Sequence, residues 1–168
     1  QAFNNPFYQD MLPIGGNQIT SDLAIGLRTP LSAAEQLKKD YRSPAHPGHR
    51  KDECIEVPGI DKNETRRVPA SALAQIITAR VEETFDLIKK ELEKSGMHKM
   101  AATGAILTGG TGLLDGITDL AEKTLDMPVR TASPQGVNGI TDVIHPSCSA
   151  GVGLAVLAGR SGAQAEPG

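Results

Sequence analysis

Apolar residues near the start of the chain fall four apart. Ile19, Leu23 and Leu27 within NQITSDLAIGL lie on one helical face. This stretch, entered through a glycine turn at 14–16, is therefore predicted to be a helix with one side buried. Thr29 and Pro30 read as a restart, with Thr29 as N-cap and proline at the first helical position. Leu31, Ala34, Leu37 and Tyr41 carry the same spacing onward. The pattern then dissolves into RSPAHPGHRKDE, a loop by composition. CIEVPGI and TRRVP predict two short strands, paired as an irregular hairpin around DKNE.

Residues 71–95 carry the strongest helical signal. Leu73, Ile77, Val81, Phe85, Ile88 and Leu92 recur at intervals of three and four, and Gly96 supplies the stop. Such a helix is about 37 Å long, more than a small subdomain needs, so part of its surface is expected to serve a partner or a neighbouring subdomain. Farther on, TGAILTGGTGLLDGITDLAEKTLDMPV predicts strand, glycine turn, helix and second strand. The strand covers 105–107, Gly109, Gly110 and Gly112 make the turn, and Leu113, Ile117, Leu120 and Leu125 line the helix. SPQGVNGITDVI reads as a loop, and PSCSAGVGLAVLAGR as a helix whose glycines and alanines let backbones approach closely.

With 168 residues the chain suggests one domain or two small subdomains. Aromatics are 3% of the residues, so the core must be built from Leu, Ile, Val and Ala, which favours an α/β architecture. The net charge of −3 lacks the basic excess that phosphate-backbone binding requires, and no nucleic-acid partner is expected. No apolar run approaches the roughly 20 residues that span a bilayer, and QAFNNPFYQDM has no signal pattern. Cys54 and Cys148 make no disulfide framework, which fits a reducing cytoplasm. Gln1 is not an initiator methionine and GRSGAQAEPG trails off in small residues, so the chain is expected to be a fragment with a disordered tail at 161–168.

Candidate chemistry centres on the strand–GGTG–helix junction. Glycines let a ligand approach main chain, and free N–H groups at a helix start favour an anionic or polar edge. Alone, this motif is equally compatible with a tight turn that holds nothing. Glu35 and Lys38 share one helical face, and by themselves read as an exposed ion pair. His46, His49 and Cys54 sit in or beside a loop without the rigid four-ligand frame that zinc needs, so no metal site is expected. No spacing suggests a Ser/His/Asp arrangement, and no catalytic residue is assigned.

The order PIGGNQITSDLAIGLRTP, AEQLKKDY, IEVPGI, the long helix, ILTGGTGLLDGI and SAGVGLAVLAG resembles the FtsA family of bacterial cell-division proteins. That family belongs to the actin, heat-shock chaperone and sugar-kinase ATPase superfamily. The resemblance covers roughly residues 12–160, and its most specific blocks are GGNQITSDLAIGLRTP and MPVRTASPQGVNGITDVI. It implies half of an actin-like fold. Residues 1–30 and 101–160 would form a nucleotide-facing subdomain, and 31–100 a smaller inserted one. Gly109, Gly110 and Thr111 match the adenosine motif, while Glu35 and Lys38 match an acidic–basic pair that meets ribose and adenine. The Gly/Ala-rich helix matches a connecting helix at which the two halves hinge.

The resemblance implies partners too. ATP or ADP with magnesium would be bound by the intact protein, which would self-associate into filaments. The inserted subdomain would bind the acidic tail of the tubulin-like protein FtsZ, with Arg80 meeting that tail and Arg66 and Arg67 adding charge. Read alone, Arg80 is as well explained by pairing with Glu82 or Glu83. The two acidic, glycine-rich phosphate hairpins of the superfamily are missing: QAFNNPFYQDM stands where one belongs, and Asp10 is its only carboxylate. ATP turnover by this chain alone is therefore not expected. The parent protein would act at the inner membrane face through an amphipathic helix, whereas GRSGAQAEPG is not amphipathic. A pilus-assembly relative, or another superfamily member acting only as an interaction module, is the alternative, and GLRTP argues against it. Two departures stand out. The glycine usual soon after the tyrosine at 41 is missing, and Cys148 replaces an aromatic and is expected to be a small buried side chain.

Overall fold

The computed structural model describes residues 8–44, 46, 53–61, 64–97, 103–135 and 144–162. Residues 1–7, 45, 47–52 with His49, 62–63, 98–102, 136–143 and 163–168 lie outside them. So do the expectations attached to those residues.

Helix α1 spans Gly16–Leu27 and buries Ile19, Thr20, Leu23 and Leu27, the face its spacing predicts plus one polar residue. Gln18 Oε1 accepts the Gly15 N–H at 2.8 Å and so caps the start. Arg28 ends the helix in the left-handed conformation, φ 49°, and Arg66 Nη2 donates to the orphan carbonyls of Leu27 and Arg28. Helix α2 spans Leu31–Lys39 with Pro30, not Thr29, at its N-cap. Thr29 is buried and its hydroxyl donates to Pro58 O at 2.7 Å, tying the α1–α2 corner to the first strand. Leu31 is exposed; Ala34 and, past the helix end, Tyr41 are the buried members of that series.

Strands β1, Cys54–Pro58, and β2, Thr65–Pro69, pair antiparallel with Val57 opposite Arg66. Helix α3 follows directly over Ala70–Lys94 and buries Leu73, Ala74, Ile77, Val81 and Phe85. It packs against α1 on one side and against α4, Ile117–Leu125, on another. Strands β3, Ala105–Leu107, and β4, Val129–Thr131, pair in parallel around α4. Helix α5 spans Ser149–Gly162.

One cluster of buried side chains joins these parts, running from Ile19, Leu23 and Leu27 through Ile77, Val81 and Phe85 to Ile117, Ala121 and Leu125. Lys89 Nζ adds a polar tie, donating to Thr124 O at 3.0 Å across α3 and α4. The glycine junction differs from its expectation. A 3-10 turn occupies Gly110–Leu113, and α4 starts only at Ile117, after Gly116 in the left-handed region, φ 76°. Leu113 therefore faces out, while Ile117 and Leu125 enter the core. Cys148 is half-buried, not buried, because it sits in a short 3-10 turn at the surface entrance to α5. Gly151 and Gly153 in α5 have nothing within 4 Å of a built Cβ, so no backbone approaches them among the described residues.

Candidate functional site

Helix α1 begins where the 3-10 turn Gly110–Leu113 passes. A Cβ on Gly16 would lie 2.5 Å from Thr111 Oγ1 and 3.5 Å from Lys38 Nζ, so only glycine lets these three groups meet. Helix α2 lies alongside and projects Glu35 and Lys38 into the same space. Between them lies a cleft of about 510 Å³, walled by Gly16, Glu35, Lys38, Lys39, Gly110 and Thr111. Leu113, Leu114 and Ser147 close its apolar and outer edges. Its size falls within the range of small-molecule sites, about 300–1,000 Å³.

The polar wiring is dense on the α1–α2 side. Lys38 Nζ donates to Gly16 O at 3.1 Å and to Thr20 Oγ1 at 2.9 Å, and pairs with Glu35 Oε2 at 2.6 Å. An ammonium has three protons, and all three are used. Thr20 Oγ1 also lies 2.6 Å from Glu35 Oε2. The bonds from Lys38 and then Thr20 hold the Glu35 carboxyl below the usual glutamate range. Its second oxygen, Oε1, lies 3.8 Å from the exposed Lys39 ammonium.

Of the residues singled out by sequence, Glu35, Lys38, Gly110 and Thr111 line this cleft. Gly109 does not; with φ 89° it makes the bend, and its N–H donates to Pro146 O at 2.8 Å. Sequence reasoning missed Thr20, Lys39 and Ser147 as parts of the site. Thr20 occupies a helix face next to Ile19 and carries no motif of its own; only the fold brings it to Glu35. Ser147, whose Oγ is 2.7 Å from His145 Nδ1, reaches the rim through the turn preceding α5.

Arg80 stands apart from the cleft, on α3. Its guanidinium engages Asp22 of α1 through both Nε and Nη2, and Nη1 pairs with Glu83 at 2.6 Å. The Asp22 bond, the largest cause, pushes the Arg80 pKa upward. Arg66 is turned away to cap α1, and its buried Nε makes no hydrogen bond, its nearest ionic partner being Glu64 Oε1 at 3.7 Å. Among the described residues no three His, Cys, Asp or Glu side chains group to hold a metal ion, and no helix is long and apolar enough to cross a membrane.

Comparisons with known proteins give the family and the fold of the chain. The family model for cell division protein FtsA matches residues 2–153. The FtsA of Neisseria meningitidis serogroup B is 42% identical over 149 residues, 88% of this chain and 36% of that protein. That of Pseudomonas aeruginosa is 39% identical over 145 residues, 86% of this chain and 35% of that protein. The chain thus spans about a third of the length of these curated relatives. Among solved structures, MreB5 of Spiroplasma citri bound to ADP superposes with TM-score 0.66 at 14% identity, covering 92% of this chain and 48% of that one. The same protein bound to AMPPNP gives TM-score 0.65 at 13% identity. At such identities the likeness concerns the fold, an α/β half of the actin-like architecture. Matched over most of its length by the family model, the chain belongs to the FtsA cell-division family.

Proposed function

We propose that this chain contributes the adenosine-facing wall of an ATP or ADP site in a division protein that polymerises and links FtsZ filaments to the membrane. The observation that supports this is the convergence of Glu35 and Lys38 with Gly110 and Thr111 on one cleft, although some 70 residues separate the two pairs in sequence. The residues fit a nucleoside: the glycines leave main chain open to a flat ring, and Glu35 Oε1 offers a charged acceptor to hydroxyls. The related fold of MreB5 has been crystallised with AMPPNP and with ADP. Among the described residues no group of three or more His, Cys, Asp or Glu side chains could hold a magnesium ion. This chain binds and orients; phosphate chemistry belongs to the longer protein.

On this reading 1–30 and 101–160, together with Glu35 and Lys38 of α2, face the nucleotide, and the rest of 31–100 is the partner-binding insertion. Arg80 is its contact for the acidic FtsZ tail, at the inner membrane face during division. The pilus-assembly alternative loses its ground to the family match over residues 2–153.

The test is a titration of the isotopically labelled chain with ADP. Amide shifts are expected at Gly16, Glu35, Gly110 and Thr111. No shift and no heat at millimolar ADP would overturn the reading.

A further inference from the structure

We infer that Thr20 is a positioning residue of the cleft, which together with Lys38 locks one oxygen of Glu35 so that the other faces the ligand. This rests on the nucleotide reading above. Thr20 is 7% exposed, and its hydroxyl is placed between three groups. A threonine inside a helix ordinarily bonds back to the carbonyl four residues earlier, and Gly16 O does lie 3.2 Å away. The hydroxyl has a single proton, however, and the Glu35 Oε2 contact at 2.6 Å is shorter and ionic. Gly16 O is served instead by Lys38 Nζ at 3.1 Å, and Lys38 in turn donates to Thr20.

The consequence for Glu35 is an asymmetry between its oxygens. Oε2 accepts from both Thr20 and Lys38, while among the described residues Oε1 has only the Lys39 ammonium at 3.8 Å. A carboxylate pinned through one oxygen presents the other in one orientation. The ligand chemistry that matches is a vicinal diol, such as the two hydroxyls of a ribose. Lys38, with every proton committed and its side chain 14% exposed, holds Glu35 and Gly16 in place.

The experiment compares ADP with 2′,3′-dideoxy-ADP by calorimetry on the wild-type chain, Thr20→Val and Thr20→Ser. Wild type is expected to favour ADP by on the order of tenfold, and Thr20→Val to shrink that preference to within about threefold, because a freed carboxylate swings toward Lys39. Thr20→Ser restores the preference. A role confined to packing would lower both affinities together and leave their ratio intact, and that result overturns the inference. Equal binding of the two ligands by wild type also overturns it, while leaving nucleotide binding standing. Binding of neither overturns the nucleotide reading and this inference with it. If Thr20→Val fails to fold, Lys38→Met carries the same comparison, with the same loss of preference expected and an unchanged ratio counting against.

Discussion

Gly16 and Thr111 touch across the cleft so closely that a methyl group on the first would sit 2.5 Å from the hydroxyl oxygen of the second. Gly16→Ala must therefore turn Thr111 out of place. Stability should change little, since alanine at the first turn of α1 regains up to about 1 kcal/mol of helix propensity. ADP affinity should fall severalfold while the thermal midpoint moves by only a few degrees. Calorimetry and thermal denaturation on the same sample check both halves of this statement.

Glu35 makes acid stability depend on its lysine. Its carboxyl is held below the ordinary value near 4.5 first by the Lys38 bond, then by Thr20. A carboxyl lowered on folding stabilises the protein fully above its unfolded value, and that contribution disappears as pH falls through the folded value. Wild type should thus lose stability from about pH 5 downward, and Lys38→Met should flatten that part of the curve. Urea midpoints measured between pH 3 and 7 would show it. A profile identical in the two proteins contradicts the assignment.

Asp22 and Glu83 engage three of the five N–H donors of Arg80, so an acidic tail would meet a guanidinium already partly committed. If Arg80 meets the tail as proposed, Arg80→Glu should weaken the saturable binding of a labelled FtsZ tail peptide in fluorescence anisotropy. Asp22→Ala should do the reverse and raise affinity severalfold, since it frees the planar fork of donors for a carboxylate. Weaker tail binding by Asp22→Ala would mark Arg80 as a tie between helices and nothing more.

Leu23 is fully buried where α1 meets α3. Leu23→Ala should cost about 2–5 kcal/mol by the loss of transfer energy and the cavity left behind. Because α1 also carries Gly16 and Thr20, nucleotide affinity should fall with it. Chemical denaturation and an ADP titration at a temperature where the variant stays folded separate the two effects.

Helices with regular apolar spacing were legible from sequence. The apolar α1 face and the α3 row Leu73, Ile77, Val81 and Phe85 lie where their periods put them, since burial of a continuous stripe is what such spacing encodes, while Ile88 and Leu92 are only partly buried. The hairpin and the strand–turn–helix–strand order were legible as well, while the parallel pairing of β3 and β4 comes from the structure. Features set by tertiary contacts were not. Thr29 has the chemistry of an N-cap, yet Pro58 O lies within reach and takes its proton. Gly116 lets α4 start late, so Leu113 leaves the apolar row. In the cleft, Glu35, Lys38, Gly110 and Thr111 came from motif resemblance. Thr20 did not, because a lone threonine on a helix signals nothing until a partner fifteen positions away folds against it.

Helix α1 carries two attachments on nearly opposite flanks. Thr20 holds Glu35 of α2, and Asp22, two positions on and about 200° around the axis, grips Arg80 of α3. The helix thus behaves as an axle with a spoke on either side. A roll large enough to release one spoke would also strain the other, so the two contacts together resist rotation of α1.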